Sequence, residues 1–413
     1  MDRFIGLIGI VLILGVAYLF STDRKAINYR TVGMGLLMQL LFAIFILKTP
    51  IGQSIFGWLG AAVTKVLTFA DEGGKFVFGD LSNPAVLGKV LPSGFIFFFK
   101  IIPTIIFVAV LVNVLYHIGL MQLIVRGMAW VMYRVMRVSG AEALSNAASA
   151  FVGQVEAQIM VKPYLKNMTK SELMASMTGS FACIAGGVMA TYISFGVPAQ
   201  YLIAASIMAA PGALAIAKIM HPETEESETQ GTVKLNVEKD HVNLVDAIAA
   251  GCSDGLRIGL NVVAMLIGFL ALIAFLDYGF GKIGWLFGHP EISFKLILGY
   301  LFSGFAWAMG VPAAEMMQAG SLMGTKLVVN EFVAYLDLTA LQKTSAALSP
   351  KAMAIVSFAL CGFANFGSVA IQIGGISALE PSRRTDLAKL GFRALMAGTL
   401  ASYLSATLAG ILF

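Results

Sequence analysis

The chain has 413 residues, of which 58% are hydrophobic and only 12% are charged, and its formal net charge is +5. Soluble globular proteins carry about 25% charged residues, so this composition excludes a soluble fold and predicts an all-α polytopic membrane protein. The small basic excess lies in short groups beside apolar runs, which excludes a nucleic-acid-binding stripe and is typical of topology signals.

Eight segments are long and apolar enough to span a membrane, since a helix needs about 20 largely apolar residues to cross the hydrocarbon core. Clusters of Lys and Arg follow the first and third segments and precede the last. All three clusters are cytoplasmic if both termini lie outside, and the polar residues 221–243 then form a solvated cytoplasmic loop. The predicted spans are residues 4–21, 31–49, 95–120, 171–195, 199–219, 256–277, 352–377 and 394–413.

Two further apolar segments, residues 142–169 and 292–335, are interrupted by polar residues. Their apolar arms are too short to span, and their polar centres do not suit a lipid-facing helix. Backbone that leaves helical hydrogen bonding at membrane depth persists only where protein or water satisfies it. We therefore predict two re-entrant helical hairpins, each followed by a span that small residues interrupt.

The spans that follow the two hairpins are similar to each other. Residues 180–187 read SFACIAGG and residues 357–365 read SFALCGFAN. The first of these spans enters from the cytoplasmic side and the second from outside. A hairpin, an interrupted span and a complete span thus occur once in each orientation, which is the inverted-repeat plan of secondary transporters with a site at the repeat interface.

Several polar side chains lie in segments that the membrane should bury. A carboxylate at the centre of a lipid-facing helix costs about 2.5 to 3.5 kcal/mol, so retained carboxylates usually face a cavity or a partner. Glu156 lies beside Gln154 in the first hairpin, Glu331 lies in the second, and Asn365 and Ser368 lie in the seventh span. These groups suit a neutral polyhydroxylated solute. The alternative for both glutamates is a buried structural hydrogen bond.

The remaining residues of chemical interest indicate no reaction centre. Glu315 is expected either in the site or at a hairpin tip that reaches water, and Glu142 with Arg137 is expected at the membrane interface. The four histidines and three cysteines are scattered singly, which argues against a metal centre and a disulfide framework. No nucleophile elbow, P-loop or HExxH motif is present. We predict a protein that is not an enzyme, needs no cofactor and does not use ATP.

Three motifs resemble signatures of the concentrative nucleoside transporter family: GQVEA at 153–157, NEFVAY at 330–335 and FALCGFANF at 358–366. The similarity extends over nearly the whole chain, and the short length is similar to that of bacterial members. The resemblance implies a multi-pass homotrimer of the inner membrane, surrounded by lipid. It also implies a symporter that imports nucleosides such as uridine by alternating access, coupled to sodium or protons.

The resemblance further implies that the chain is divided into a scaffold and a moving transport region. Residues 1–140, with the first three spans, and residues 244–291, with the sixth, would form the scaffold. Residues 141–220 and 292–413 would be the two repeats, and residues 221–243 the cytoplasmic loop between them.

The family's substrate site can be placed on this sequence motif by motif. Glu331, Asn365 and Ser368 would hold the ribose hydroxyls, while amide and carboxyl groups of the first hairpin can read a base edge. A phosphorylated nucleotide would meet two carboxylates without a basic partner, so we expect it to be excluded. The residues at the nucleobase would be Gln154, Val155, Glu156, Val188 and Phe363.

Four positions depart from the family pattern. Val155 offers no hydroxyl where family members usually have Thr or Ser, and Gln158 replaces the usual Pro. In the family's sodium site, Ser149 stands where relatives have a side chain with an amide oxygen. The sulfur of Cys183 stands where they have a hard oxygen. Because sodium prefers oxygen ligands, we expect a weaker sodium affinity than is usual in the family, or coupling to protons. The sodium site falls on Ser149, Val152, Cys183 and Ile184.

Three other classes of protein could share this composition. A passive channel would not accumulate solute against a gradient, and two hairpins suit gating on both sides better than an open pore. An intramembrane enzyme would convert its substrate, but no nucleophile is paired with a base. A receptor would bind the solute without moving it.

Overall fold

The computed structural model describes residues 2–87, 89, 96–230, 241–289 and 291–413. Within these residues every regular element is helical, as the composition predicts, with two short 3-10 turns at Gly79–Ser82 and Pro381–Arg383. The α-helices are α1 Asp2–Leu19, α2 Tyr29–Lys48, α3 Pro50–Thr68, α4 Ala70–Phe78, α5 Pro84–Leu87, α6 Phe97–His117, α7 Leu120–Met136, α8 Gly140–Ser149, α9 Glu156–Ile159, α10 Lys162–Leu165, α11 Lys170–Ala182, α12 Gly186–Ser194, α13 Ala199–Met220, α14 Leu244–Leu286, α15 Phe294–Ala308, α16 Met316–Val328, α17 Glu331–Leu341, α18 Pro350–Leu360, α19 Phe366–Leu379 and α20 Arg384–Leu412.

Six helical segments of the described chain are long and apolar enough to cross a membrane. Three of them, Lys170–Ser194, Ala199–Met220 and Pro381–Leu412, form the interior, with 78%, 89% and 83% of their apolar stretches buried. These segments contain many Ala, Ser and Gly residues, which let helices approach closely. The other three are α2, α6 and α14, which lie at the periphery and expose large apolar side chains.

The other predicted spans correspond to shorter apolar helices. Helix α1 falls on the first predicted span, and the seventh, residues 352–377, is divided between α18 and α19. The third predicted span begins at residue 95, which lies outside the described residues, and α6 begins at Phe97. The membrane-spanning character of these shorter helices stays a prediction.

Helix α14 is much longer than the predicted sixth span at residues 256–277, because it extends over 43 residues. Asn243 caps its first turn through its side-chain oxygen. Gly251 and Gly255 bring its first half against the backbone of α6, where a Cβ would lie within 3 Å of backbone atoms. A hydropathy window detects only the apolar part of a helix. The predicted span therefore begins after the true start of α14 and ends before its true end.

Both predicted interruptions of the spans are confirmed. Three residues, 183–185, separate α11 from α12, and five residues, 361–365, separate α18 from α19. Asn365 begins α19, because its side-chain oxygen accepts a hydrogen bond from Ser368 N–H at 2.8 Å. An Asn cap of this kind satisfies one of the backbone donors that a helix N-terminus leaves free.

The two interruptions cross each other inside the protein. The Phe363 N–H donates to the Cys183 carbonyl at 3.2 Å. At Gly362, where φ is +131°, a Cβ would lie 2.6 Å from the Phe181 carbonyl oxygen and 2.8 Å from that of Ala182. Only glycine accepts this conformation and this approach at low cost. The two repeats therefore meet backbone to backbone.

The segments predicted as hairpins are broken helices. In the first, a capping box of Ser139 and Glu142 begins α8, and residues 150–155 leave the helix before the short α9 and α10. The second predicted hairpin, residues 292–335, contains three helical pieces, α15, α16 and the start of α17. Asn330 caps α17 after a two-residue turn. The re-entrant course of both segments stays a prediction.

Residues 221–230, which we name the polar strap, are packed on the first repeat. The Gly140 N–H, at the start of α8, donates to the Thr229 carbonyl at 3.1 Å, and the Thr229 hydroxyl donates to Glu172 in the first turn of α11 at 3.3 Å. Residues 224–226, 228 and 230 of the strap are exposed, as the prediction of a solvated loop requires, whereas Thr229 is buried against the starts of α8 and α11. Residues 231–240 of the predicted loop lie outside the described residues.

Glu142, which the sequence places beside Arg137, has a different partner and is not exposed, so that part of the prediction is wrong. The side chain is buried and forms an ion pair with Lys218 at 2.7 Å. Lys218 also contacts Glu223 of the polar strap at 3.3 Å. Removing one partner of a buried ion pair leaves an uncompensated charge, so this cluster fastens α8, α13 and the strap together.

Candidate functional site

The carboxylate of Glu331 lies at the centre of the candidate site. Glu331 is the first residue of α17, and only 5% of its surface is exposed. Its Oε1 accepts a hydrogen bond from the Tyr192 hydroxyl and its Oε2 accepts one from the Asn365 amide, both at 3.0 Å. Each carboxylate oxygen keeps a second lone pair. The carboxylate is therefore fixed in place and can still accept two hydroxyl protons.

Two helix N-termini hold this carboxylate. Asn330 caps α17 by accepting from Val333 N–H at 2.9 Å, and Asn365 caps α19 by accepting from Ser368 N–H. Because the Asn365 oxygen serves the cap, its amide nitrogen is turned toward Glu331. The same local sequences that begin the two helices therefore also position the Glu331 carboxylate and its amide partner.

The predicted base and ribose residues adjoin each other. Gln154 Nε2 donates to Ser368 Oγ at 3.4 Å, and Gln372 Nε2 lies 3.5 Å from Gln154 Oε1. Val155 packs on α19, since a Cβ at Gly375 would lie 2.5 Å from its Cγ2. The first hairpin thus contacts the second interrupted span. Val155 gives this contact an apolar surface where a hydroxyl would have offered a hydrogen bond.

The remaining predicted substrate residues differ in exposure. Glu156 is exposed, and its carboxylate folds back over Gly153, where a Cβ would lie 2.0 Å from Oε2. Val188 is partly buried on α12, one helical turn before Tyr192. Phe363 is 9% exposed and lies at the crossing of the two interruptions. Of the two predicted carboxylates, Glu331 is therefore buried and Glu156 is accessible.

The hydroxyl of Ser149, the first predicted sodium ligand, is engaged in hydrogen bonds. It donates to the Ser145 carbonyl at 2.8 Å and lies 3.1 Å from Ser180 Oγ on α11. No group of three or more His, Cys, Asp or Glu side chains that could hold a metal occurs in the described chain. Any cation at this place would have to rely on hydroxyl and carbonyl oxygens.

The other three residues predicted at the sodium site are buried. The Cys183 thiol lies 3.7 Å from the Ser206 carbonyl, and the Cys183 carbonyl already accepts from Phe363 N–H. Val152 and Ile184 are buried as well. The sulfur is therefore turned to a neighbouring helix, and the Cys183 carbonyl serves the crossing of the repeats.

Tyr192 and Lys326 are two residues of this region that the sequence analysis missed. Lys326 is 1% exposed, and its ammonium group donates to the Ala359 carbonyl, near the end of α18, at 2.9 Å. The signal for Tyr192 was its helical spacing from Val188. The signal for Lys326 was a lysine within an otherwise apolar segment, which is a costly position that calls for a partner.

Glu315 does not lie in the candidate site. Its carboxylate accepts from the Ser349 N–H and hydroxyl at 3.0 Å each, just before α18. The residue is partly buried and holds the start of that helix. Its role here is structural.

Replacing Tyr192 with phenylalanine should weaken nucleoside binding about tenfold. The change removes a hydrogen bond to a charged group, worth about 1.5 kcal/mol, and frees the Glu331 carboxylate to rotate. The measurement is the Kd of uridine for the purified protein. Tyr403→Phe is the matched control, because the buried Tyr403 hydroxyl has no hydrogen-bond partner among the described residues. Equal affinity in the Tyr192→Phe variant and the wild type would contradict the assignment.

Three family descriptions match the chain in succession. Residues 8–81 match the N-terminus of Na+ dependent nucleoside transporters, residues 98–199 match a nucleoside recognition domain, and residues 201–410 match the C-terminus of Na+ dependent nucleoside transporters.

The chain belongs to the concentrative nucleoside transporter family.

Relatives of similar length agree with this membership. The putative nucleoside permease NupX of Escherichia coli is 38% identical over 410 residues, which are 99% of each chain. The nucleoside permease NupC of Helicobacter pylori is 38% identical over 98% of this chain and 96% of its own. An uncharacterized transporter of Haemophilus influenzae is 45% identical over 98% of this chain and 96% of its own. The named activities are those of transporters and permeases, so the prediction of a protein that is not an enzyme is confirmed.

Solved structures of a further nucleoside transporter homologue share the whole fold. CNTnw in an inward-facing, substrate-bound state has a TM-score of 0.95 and 42% identity, over 100% of this chain and 98% of that one. A CNTnw variant in an intermediate state has a TM-score of 0.93 and 42% identity, over 99% and 98% of the two chains. The concentrative nucleoside transporter fold of this chain thus occurs in several conformational states in CNTnw.

Proposed function

We propose that this chain is an ion-coupled symporter that imports nucleosides such as uridine across the inner membrane by alternating access. The observation that carries the proposal is the Glu331 carboxylate, buried between Tyr192 and Asn365 at the meeting point of the two repeats. A buried acceptor with two free lone pairs suits the vicinal hydroxyls of ribose. It does not suit a phosphate, which would add a second negative charge.

The ribose of the nucleoside would bind Glu331, Asn365 and Ser368. Its base would lie against the first hairpin, in reach of Gln154 and Glu156, with three apolar residues packing around it. The contact between Gln154 and Ser368 supports this division, since it places the two predicted halves of the site side by side. The apolar residues at the base are Val155, Val188 and Phe363.

The larger architecture belongs to the same proposal. Eight spans and two re-entrant hairpins would form a scaffold, residues 1–140 and 244–291, and a transport region, residues 141–220 and 292–413. Backbone contact between the two interrupted spans supports one moving body that contains both repeats. Three such chains would assemble as a homotrimer in the inner membrane.

Coupling to one cation would supply useful driving force. Moving one charge through the membrane is worth about 2.3 kcal/mol per 100 mV, which corresponds to roughly 50-fold accumulation of a neutral solute. Either sodium or a proton would serve in this role, and neither requires a cofactor.

The test is uptake of radiolabelled uridine into proteoliposomes with an inward sodium gradient, an inward proton gradient, or neither. We expect accumulation above equilibrium under one gradient and exclusion of uridine monophosphate. Liposomes without protein are the control. Equilibration without accumulation under both gradients would overturn symport and indicate an uncoupled carrier or channel, and binding without flux would indicate a receptor.

A further inference from the structure

Gln158 is fully buried, and it belongs to a network of polar side chains that joins the first hairpin to α11. Its Nε2 lies 2.9 Å from Ser180 Oγ and 3.4 Å from the Ser176 carbonyl, and its Oε1 accepts from the Ser176 hydroxyl at 2.6 Å. Ser180 Oγ lies in turn 3.1 Å from Ser149 Oγ. One amide side chain therefore connects α9 to two turns of α11.

The donors in this network can be assigned by counting protons. Ser149 has a single hydroxyl proton, which it donates to the Ser145 carbonyl at 2.8 Å. The contact between Ser149 and Ser180 must then use the Ser180 proton. Ser180 Oγ can consequently only accept from Gln158, whose nitrogen has two protons to donate. Each hydrogen bond in the series from Gln158 through Ser180 and Ser149 to the Ser145 carbonyl thus has one defined donor.

This direction leaves Ser149, one of the four predicted sodium positions, with its hydroxyl proton and one lone pair already engaged. The amide nitrogen of Gln158 points its protons at the Ser180 hydroxyl oxygen and the Ser176 carbonyl, both on α11. Ser149 Oγ also accepts a hydrogen bond from the Ser180 hydroxyl. A sodium ion needs several oxygen ligands, and at the buried Ser149 it would compete with the Ser180 proton for the hydroxyl oxygen.

The network also controls the substrate side chains of the first hairpin. Gln158 lies two residues after Glu156 and four after Gln154 in the same short segment. Gln154 must stay close to Ser368 to face the site. A tether at Gln158 fixes the position of this segment relative to α11 without any ion.

We propose that Gln158 takes the place of the coupling cation as the group that ties the first hairpin to α11, so that nucleoside binding by this chain needs no sodium. The inference rests on the proposed function, and it concerns Gln158 as a positioning residue.

The test is the Kd of uridine for the purified protein in sodium chloride and in choline chloride at pH 8. We expect less than a threefold difference for the wild type. A wild-type Kd threefold or more weaker in choline would overturn the inference while leaving the proposed function intact. Lack of uridine binding in both salts would overturn the proposed function and the inference with it.

Two variants of Gln158 test whether its amide positions the first hairpin or only fills space in the core. Gln158→Leu should weaken uridine binding at least tenfold in both salts, whereas Gln122→Leu, which removes the hydrogen bond from Gln122 to the Tyr116 carbonyl on the predicted scaffold, should have little effect. Gln158→Glu keeps the shape but replaces the amide donor with an acceptor. It should bind uridine at least tenfold more tightly in sodium than in choline. Equal weakening of Gln158→Glu in both salts would contradict the proposal.

A converse variant tests the predicted cation position itself. Ser149→Asn restores the amide oxygen that is usual in the family and removes the hydroxyl that accepts from Ser180. Combined with Gln158→Leu, it should make uridine binding depend on sodium by at least fivefold. An unchanged response to sodium in the double variant would count against the assignment of this network to the cation position.

Discussion

Replacing Glu331 with alanine should abolish most nucleoside uptake. The change removes the acceptor for two ribose hydroxyls, each hydrogen bond to a charged group being worth about 1.5 kcal/mol or more, and so should raise the Kd of uridine more than 100-fold. It also leaves the Tyr192 hydroxyl and the Asn365 amide without their acceptor. The measurement is the Kd of uridine together with its initial uptake rate.

Deoxynucleosides make this prediction specific to the ribose. The wild type should bind uridine at least tenfold more tightly than 2′-deoxyuridine or 3′-deoxyuridine, and Glu331→Ala should lose this preference for at least one of them. Glu225→Ala, an exposed change in the polar strap, is the control for handling and insertion. Near-normal uridine uptake by Glu331→Ala, or an unchanged preference for the hydroxyls, would exclude Glu331 from the ribose site.

Replacing Gly362 with alanine should unfold or severely destabilise the protein. The backbone at φ +131° costs a side-chain-bearing residue about 1 to 3 kcal/mol, and the added Cβ would overlap the Phe181 and Ala182 carbonyls. Relief of that overlap would break the hydrogen bond from Phe363 N–H to the Cys183 carbonyl. The measurement is the melting temperature of the detergent-solubilised protein, with uridine binding as the second readout.

Gly374→Ala is the matched control for this change. Gly374 lies in α19, and a Cβ there would meet no atom within 4 Å. Alanine is a better helix former than glycine by about 1 kcal/mol, so this variant should be at least as stable as the wild type. A Gly362→Ala protein that melts and binds uridine like Gly374→Ala would show that the crossing of the two interruptions tolerates a side chain.

The sequence predicts those parts of the fold and site that local rules determine. Apolar length identifies the membrane helices, and small residues beside polar ones identify the interruptions at 183–185 and 361–365. Glu331 and Asn365 could be singled out because a carboxylate and an amide are costly in a membrane segment. Their mutual contact also follows from the repeat plan, which brings the hairpins and the interrupted spans to one interface.

Other features depend on long-range packing that a single sequence does not reveal. Tyr192 is an ordinary aromatic residue until α12 places its hydroxyl against Glu331. Gln158 is a mere departure from the family pattern until the positions of Ser176 and Ser180 show what its amide binds. The polar strap has the composition of a loop, but Thr229 accepts from the first backbone N–H groups of α8 and donates to the Glu172 side chain in the first turn of α11.

The crossing of the two interrupted spans has a kinetic consequence for transport. Because the hydrogen bond between Phe363 and Cys183 joins the backbones of the two repeats, we expect both halves of the proposed site to move together when it turns from one side of the membrane to the other. Such a site offers the same affinity for entry and for exit. The Kd of uridine should therefore be equal for the inward-facing and the outward-facing form of the protein.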